Sequence, residues 1–295
     1  MVGKKSLVEK AFDIANIVVM IILSLMWIYP FWYVLILSFH DSSTISYFQV
    51  TVFPLTFTLT NYRIIFQNNT LLNGFIISVL RTSIGAISSV FVSAMFAYSL
   101  SKKHLLFRKF FLNIVVITMF FSGGLIPAYL LYKNLNLLNS FWIYIIPSLY
   151  GAWTIILMKT FFLGLPQSIE ESAQIDGAND LYIFMKLVIP MSMPLIATML
   201  LFSGVGHWND WITAQMFITN SKIWPIQTIL MKLLTQYQAV SNLNREMKSM
   251  EFTRAPTVET VKMATIITAT VPILCSYPFL QKYFIKGIMI GSIKE

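Results

Sequence analysis

The feature that most constrains this chain is a series of apolar runs, each long enough to cross a lipid bilayer. A transmembrane helix needs about 20 consecutive, predominantly apolar residues, and runs of this kind recur along the sequence. Charged residues make up only 11% of the chain, against roughly 25% in a soluble domain. The one cysteine, Cys275, lies in an apolar run and allows no disulfide within the chain. The sequence therefore predicts an all-α, multi-pass membrane protein.

Six membrane-spanning helices are predicted, and basic residues set their orientation. The segment SKKHLLFRK carries the densest basic cluster, which includes Lys102 and Lys103. The preference of cytoplasmic loops for Lys and Arg assigns it to the cytoplasm. An even number of spans then puts both termini on that side. The predicted spans are 12–39, 72–100, 110–132, 141–162, a fifth that ends near residue 211, and 263–284.

These spans also set the predicted domain boundaries. The third span is interrupted by Gly123-Gly124 and Pro127, which we interpret as close packing and helix termination rather than as a hinge. Two connections are notably polar: the loop 165–194, on the cytoplasmic side, and an outer loop at 212–260. The boundaries are 1–11 for a cytoplasmic segment, 12–284 for the transmembrane domain and 285–295 for a cytoplasmic tail.

The loop 165–194 is predicted to contain two short helices joined by a tight turn. Ser168 and Glu171 have the spacing of a capping box, in which each side chain satisfies a free backbone N–H of the other residue at a helix start. Gly177 suits a left-handed residue that closes the first helix, because glycine has no Cβ to strain.

The second helix of the loop is predicted to start at a side-chain cap and to end at prolines. Asn179 is suited to cap its first turn. Pro190 and Pro194 are expected to fix the exit into the fifth span, since proline cannot donate a helical hydrogen bond. One apolar face is predicted from the spacing of Leu181, Phe184, Met185 and Val188.

The same loop resembles the EAA loop of ABC importer permeases, whose pattern is EAA, three residues, G, nine residues and I-x-L-P. Glu171-Ser172-Ala173, Gly177 and Leu187–Pro190 fall in that spacing without a gap, with Ser172 in place of the first alanine and Leu187 and Ile189 in place of the aliphatic pair. The resemblance implies the type I ABC importer permease fold and a coupling helix that docks in a groove of a cytoplasmic ATPase subunit. The implied coupling residues are Ile169, Glu170, Glu171, Ser172, Ala173, Asp176, Gly177, Ala178 and Pro190.

Two kinds of contact with the ATPase subunit are expected from this loop. Its acidic residues could pair with basic groups of the partner, although exposed ion pairs are individually weak; they are Glu170, Glu171, Asp176 and Asp180. Apolar side chains are expected to carry more of the affinity; they are Ile169, Ala173 and Ile175. The chain has no GxxxxGK[ST] phosphate-binding loop. ATP and magnesium are therefore assigned to the partner, and no cofactor or metal to this chain.

Other stretches resemble the carbohydrate branch of these permeases, the maltose-type and complex-saccharide subunits. They are AYSLSKK, FSGGLIPAYLLYKNLNLLNSFW, HWNDW and YPFLQKYFIKGIMIGSIKE. The resemblance implies a non-catalytic permease of the bacterial plasma membrane that imports a carbohydrate, with an oligosaccharide expected. It also implies three kinds of partner: a second permease, expected to be a paralogue, two ATPase subunits and an extracytoplasmic solute-binding protein. The implied contacts with the binding protein are Asn220, Trp224, Gln236 and Gln238.

Polar residues near the ends of spans are the candidates for the substrate path. Aromatic faces combined with amide and carboxylate groups suit a sugar, and Trp208, Asn209, Asp210 and Trp211 offer both. The alternative is an interfacial aromatic belt with Asp210 in water. Arg81 lies inside the second span, where an isolated charge is costly. We predict that it forms a structural ion pair or snorkels to the outer surface.

Three other interpretations remain open from the sequence. The same architecture could serve another solute class, such as glycerol phosphates. An intramembrane enzyme would need carboxylates or histidines that converge within the membrane, whereas the acidic residues here lie mostly in loops and at helix ends. A purely structural membrane protein would have no use for the spaced pattern in 165–194. The sequence does not identify the sugar.

Overall fold

The computed structural model describes residues 7–41, 53, 56–67, 69–235, 260–275 and 278. The chain divides into two compact units, one formed by Met1–Asn68 and Leu233–Thr270, the other by Asn69–Lys232 and Val271–Glu295. Helices account for the secondary structure of the described ranges, apart from one isolated antiparallel bridge between His40 and Phe57. The fold is therefore all-α, as predicted.

The first unit begins with a long apolar helix, α1, Leu7–Ser38, followed by α2, Thr60–Gln67. Almost all of α1 is exposed, and only its last turn, with Ile36 and Leu37, is buried. Asn61 of α2 caps that end, because its amide donates hydrogen bonds of 3.0 and 3.1 Å to the carbonyls of Ser38 and His40. An apolar helix with so little internal packing is suited to a lipid or protein environment.

The second unit is built on α3, Asn69–Ser101, which packs against α6, Ala152–Leu163, and α10, Met193–Asn209. The remaining helices are α4, Arg108–Phe120; α5, Leu125–Asn134; α7, Gln167–Ile175; α8, Asp180–Ile183; α9, Ile189–Met191; and α11, Ile212–Phe217. Two further helices, α12, Ile226–Thr235, and α13, Thr260–Cys275, are each divided between the two units. Short 3-10 turns lie at Phe141–Tyr144, Ile146–Leu149 and Ser221–Ile223, and a π-helical segment at Phe184–Val188.

Helices α3 and α10 pack antiparallel along a seam of small and polar residues. Three matched positions define it: Arg81 faces Asp210, Gly85 faces His207, and Ser89 faces Ser203 through a 2.8 Å hydrogen bond. The positions on α3 are four residues apart and so lie on one helix face. A Cβ atom at Gly85 would lie 2.5 Å from the His207 ring, so glycine is what allows this approach.

The hydrophobic core lies at the other end of α3. Ala94 and Ala97 are completely buried, and small side chains at these positions let helices approach closely. Ile155 and Met158 of α6 and Phe184 of the π-helical segment complete the central part of this cluster. The core therefore joins α3 and α6 to the region that contains the EAA-like loop.

Two of the described helices, α1 and α3, are each long and apolar enough to cross a membrane alone, and three bent pairs bring the number of candidate spans to five at most. The pairs are α4 with α5, the 141–149 turns with α6, and the 180–191 segment with α10, bent by 117°, 44° and 84°. The predicted first and second spans correspond to α1 and α3. The start of the predicted sixth span lies in α13, and residues 279–284 and the tail 285–295 lie outside the described residues.

The break predicted in the third span is present between α4 and α5. Gly124 has a left-handed φ of 86°, which favours glycine, and it precedes the first residue of α5. Helix termination is thus confirmed, and within the described part of the chain Gly123 makes only an ordinary contact with Pro127. A Cβ atom at Gly124 would meet nothing within 4 Å.

The segment 212–260, expected as an outer loop, is largely helical in its described part. It contains α11, the turn Ser221–Ile223 and α12, in which Ile226, Ile229 and Leu230 are buried. These apolar side chains are spaced for one helix face, which explains why the segment packs rather than extends. Residues 236–259 lie outside the described residues.

Candidate functional site

The EAA-like loop begins with a helix start that differs from the prediction. Helix α7 starts at Gln167, with Pro166 in the extended conformation of an N-cap, and no side chain caps it. Ser168 is already helical, so it does not have the extended backbone of a capping residue. The predicted capping box of Ser168 and Glu171 is therefore wrong.

The turn after α7, centred on Gly177 and called the α7 turn below, has the predicted geometry. Gly177 has a φ of 82°, the N–H of Ala178 donates to the carbonyl of Ala173 at 2.9 Å, and the N–H of Gly177 donates to the carbonyl of Gln174 at 3.0 Å. These two bonds define a Schellman motif, which closes a helix through a left-handed glycine. Asn179 then caps α8, since its side chain accepts a 2.8 Å hydrogen bond from the N–H of Tyr182. Both predictions are confirmed.

The apolar face predicted for the second helix is partly wrong. Phe184 and Val188 are buried as expected, together with Ile183, whereas Leu181 and Met185 are exposed. The π-helical segment Phe184–Val188 includes Met185, whose register its wider turn shifts, whereas Leu181 lies before that segment in α8. Sequence spacing alone assumes 3.6 residues per turn and cannot detect such a shift.

The loop presents one face outward and one face to its own core. Ile175 is 86% exposed, and Ile169 and Glu171 are also exposed. Ala173 and Ala178 are half-buried and pack against the hydrophobic core. The other predicted coupling residues on the outer surface are Ser172, Asp176 and Pro190. Ala173 therefore supports the loop from inside, and the two isoleucines form its apolar outer surface.

A cluster at the Ser101 end of α3, the Lys102 cluster, consists of Lys102, Tyr98 and Glu170. The Lys102 ammonium donates a hydrogen bond to the Glu170 carboxylate and lies 4.2 Å from the centroid of the Tyr98 ring. Burial alone would lower the pKa of Lys102, but the hydrogen bonds and charges of Glu170 and Tyr98 together outweigh it, and the pKa lies above its ordinary value. Glu170 is thus engaged within its own chain, and its pairing with a partner stays a prediction.

A second cluster, the Arg81 cluster, consists of Arg81, Tyr144 and Asp210. The guanidinium donates to the Asp210 carboxylate at 2.6 Å and to the Asp210 carbonyl at 2.7 Å. It lies 4.2 Å from the centroid of the Tyr144 ring, and Arg81 is 1% exposed. The predicted structural ion pair of Arg81 is confirmed, and snorkelling is wrong.

Asp210, the first residue after α10, is held from two sides. Besides the bonds from Arg81, its carboxylate accepts a 3.1 Å hydrogen bond from the backbone N–H of Thr213. The Arg81 guanidinium also supplies the opposite charge at 2.6 Å. Asp210 therefore stays ionised as the counter-ion of Arg81 rather than as a free surface carboxylate.

The Arg81 cluster forms part of the wall of a cavity of about 400 Å³. Its lining combines aromatic and hydroxyl-bearing side chains, the groups that contact sugars. The lining residues are Arg81, Tyr132, Ile143, Tyr144, Pro147, Ser148, Ser203, Gly206, His207, Asp210, Thr213 and Phe217. Of the four predicted substrate-path residues, only Asp210 lines this cavity.

The other three predicted residues lie elsewhere. Trp208 is buried on the opposite side of the α3–α10 seam, edge-on to Phe75, and lines a separate apolar cavity of about 370 Å³. Asn209 is exposed, and Trp211 is half-buried with its carbonyl bonded to Thr228. The stretch 207–211 is therefore not one binding surface, because consecutive helical residues point about 100° apart.

The sequence did not predict Tyr132 and Tyr144 as cavity residues or Tyr98 as a partner of Lys102. For Tyr98 a signal was available, since it is four residues before Lys102 and such pairs meet on a helix surface. For the cavity residues no local signal exists, because they come from distant segments. Spatial proximity there depends on the packing of α3, α10 and the 3-10 turns.

The predicted contacts with a binding protein lie in the segment after α11. The Asn220 side chain is exposed and accepts a 3.1 Å hydrogen bond from the N–H of Lys222. The Trp224 indole is half-buried, donates to the carbonyl of Ile218 at 3.1 Å and lies under the Lys232 ammonium. Two further predicted residues, Gln236 and Gln238, lie outside the described residues.

Comparison with known proteins identifies the family. Residues 89–290 match the family described as binding-protein-dependent transport system inner membrane component. The chain belongs to this family. The resemblance noted from the EAA-like loop is thereby confirmed, and this inner membrane component has the predicted helical fold.

The matches to similar proteins extend over nearly the whole length of this permease. It is 40% identical to the polygalacturonan/rhamnogalacturonan transport system permease protein YtcP of Bacillus subtilis, over 97% of this chain and 99% of that protein. It is 38% identical to protein LplC of the same organism, over 97% and 95%. A bacterial ABC transporter involved in the import of the acidic polysaccharide alginate has a TM-score of 0.82 and 28% identity, over 96% of this chain and 99% of that one. The permease fold is therefore that of an ABC importer.

Proposed function

We propose that this permease forms one half of the translocation pathway of an ABC importer for an oligosaccharide. An extracytoplasmic binding protein delivers the sugar, a paralogous second permease supplies the other half, and two ATPase subunits bind ATP and magnesium. The observation that carries the proposal is the outward face of α7, which ends at the Gly177 turn. The chain that contains it matches transport permeases over 96–97% of its residues. Its exposed Ile175 is suited to a hydrophobic groove of an ATPase subunit.

The relatives support the substrate class. YtcP is described for polygalacturonan and rhamnogalacturonan, and the structural relative for alginate. All three polymers contain sugar acids, so uronate-containing oligosaccharides are the first candidates for this permease. Its cavity of about 400 Å³ falls in the usual range for ligand pockets, about 300–1,000 Å³.

The contact between Lys102 and Glu170 supports the proposed orientation. It places the basic segment after α3 beside the first turn of α7, so both lie on the same side of the membrane. The preference of Lys and Arg for cytoplasmic loops makes that side the cytoplasm. The termini are then cytoplasmic as well, and the ATPase subunits meet the α7 turn there.

The mechanism that follows is alternating access in a subunit without catalysis of its own. ATP binding by the partner brings the two α7 turns together, and the spans rock so that the cavity opens to the binding protein. An effector shifts such an equilibrium only by binding its two states unequally. His207 and Asp210 share the cavity wall, but the Asp210 carboxylate is already bonded to Arg81 and Thr213, which argues against a role as a general base.

The test is reconstitution of the complex with its binding protein in lipid vesicles. ATP hydrolysis and uptake are measured with oligogalacturonate, alginate oligosaccharide, neutral arabino-oligosaccharide and glycerol phosphate. Stimulation by one saccharide, with uptake of the same compound, is expected. Stimulation by glycerol phosphate alone would move the substrate outside carbohydrates, and failure of any ATPase to co-purify would contradict the importer itself.

A further inference from the structure

The stretch AYSLSKK, residues 97–103, contains the end of α3 and lies beside the first turn of α7. Tyr98 and Lys102 are four residues apart and lie on one face of the chain as it leaves the helix. Lys102 rests on the Tyr98 ring and donates to Glu170, which lies in the first turn of α7. This contact joins the end of a membrane-spanning helix to the helix proposed to dock on the ATPase.

Each part of the link is held in place by other residues. Tyr98 is buried and packs against Phe184 and Phe162, with ring centroids 5.2 and 6.4 Å away. Glu170 lies at the positive end of the α7 dipole, which favours a carboxylate. The next residue, Glu171, points outward and is exposed. Two consecutive acids thus have different environments, one facing the span and one facing outward.

Two surface pockets border Lys102, so its ion pair with Glu170 lies at the edge of the packed core. Surface pockets of about 230 and 240 Å³ lie on either side of it. The first is bordered by Asp180 and Leu181, the second by Gln167 and Glu171. Lys102 therefore stands between two openings, and its ion pair connects α7 to α3 in addition to the packing of Ala173 on the core.

We propose that Lys102 is a positioning residue for coupling, which fixes α7 to α3 through Glu170 so that movement of the α7 turn displaces α3. This inference rests on the proposed function. Helix α3 continues from there for about 30 Å, at 1.5 Å per residue, to Arg81 and the cavity wall. A packed helix of this length transmits a displacement along its axis, so the link connects the ATPase side to the sugar side.

The experiment is a charge swap in the complete complex: K102E, E170K and the double variant K102E/E170K. Uptake per ATP hydrolysed is measured, because this ratio does not depend on how much protein folds. Each single variant places like charges together and is expected to lose about five-fold in the ratio, the scale of a partly exposed ion pair. The swap restores opposite charges and is expected to recover most of that loss.

Matched controls come from the neighbouring positions. Lys103 and Glu171 are exposed and border the same pocket. K103E is expected to leave the ratio unchanged, and K103E/E171K to behave like E171K alone. Tyr98→Phe keeps the ring under Lys102 and is expected to retain coupling, whereas Tyr98→Ala is expected to lose it.

The outcomes separate this inference from the proposed function. Co-purification of the ATPase with the Lys102 and Glu170 variants is expected, since the outward face of α7 is unchanged. Normal uptake per ATP in K102E, or a swap no better than its single variants, would overturn the positioning role while the importer stands. Absence of an ATPase from the wild-type complex would overturn the importer and the inference with it.

Discussion

The Arg81 cluster and the Lys102 cluster use the same parts in different environments. Each joins a cation of the α3 region, a tyrosine ring 4.2 Å away and a carboxylate from a distant part of the chain. The Arg81 side chain is 2% exposed and makes two hydrogen bonds to Asp210, whereas the Lys102 side chain is 13% exposed and makes one to Glu170. The comparison indicates that the first is a fixed joint and the second a weaker link that still holds α7 to α3.

The chemistry of the two cations explains why the Arg81 cluster is the stronger link and the Lys102 cluster the weaker one. Arginine presents a planar fork of donors that suits two simultaneous acceptors, while a lysine ammonium is a compact charge on a flexible stem. Breaking a buried pair leaves an uncompensated charge, which is strongly destabilising. Breaking a partly exposed pair lets water replace the partner, so the loss is small. The two clusters should therefore respond very differently to matched substitutions.

The largest effect is expected from Asp210→Ala. It leaves the Arg81 guanidinium buried without its counter-ion, a change that costs about 3–5 kcal/mol. Thermal unfolding in detergent should show a greatly reduced transition temperature, or the protein should fail to accumulate. Wild-type stability of this variant would show that the Arg81 cluster is not a fixed joint.

Arg81→Lys tests the fork geometry with the charge retained. Lysine cannot reproduce both bonds to Asp210, and one hydrogen bond involving a charged group is worth about 1.5–3 kcal/mol. A loss of stability within that range is expected from denaturant unfolding. Lys102→Arg is the matched control at the other cluster, where stability should change little. Equal losses at both positions would contradict the difference between the clusters.

Gly177→Val tests the turn that presents Glu170 and the outward face of α7. Valine at a φ of 82° is strained by about 1–2 kcal/mol or more, although a Cβ atom there would meet nothing within 4 Å. The strain is local, so the protein should insert and accumulate while uptake per ATP falls. Gly177→Asn is a useful comparison because asparagine tolerates a left-handed φ better than valine does. Normal coupling in Gly177→Val would mean that the turn geometry is dispensable.

The smallest effect on stability is expected from Glu170→Gln. The partly exposed pair with Lys102 contributes at most about 1 kcal/mol, and water can solvate the freed ammonium. Unfolding should be nearly unchanged, whereas uptake per ATP should fall. Asp210→Asn is its matched partner and should lower stability far more. A similar loss of stability in both variants would place the Lys102 cluster in the same class as the Arg81 cluster.

The sequence by itself determined the helical class, the family and the local chemistry of the EAA-like loop. Gly177 and Asn179 adopt the predicted geometry because a left-handed turn and a helix cap depend on adjacent backbone groups. The need of Arg81 for a counter-ion was also readable, since a charge within a span is costly wherever its partner lies. These features are local, or follow from the cost of burying a charge.

The tertiary structure alone decided which residues meet. Arg81 and Asp210 are 129 positions apart, and their contact follows from the antiparallel packing of α3 on α10. The buried face after the Gly177 turn runs through Ile183, Phe184 and Val188, and Trp208 and Asp210 line different cavities because they lie on opposite sides of the α3–α10 seam. Pairing and register of this kind are set by how whole helices pack, because the favourable contacts form only after distant segments have come together.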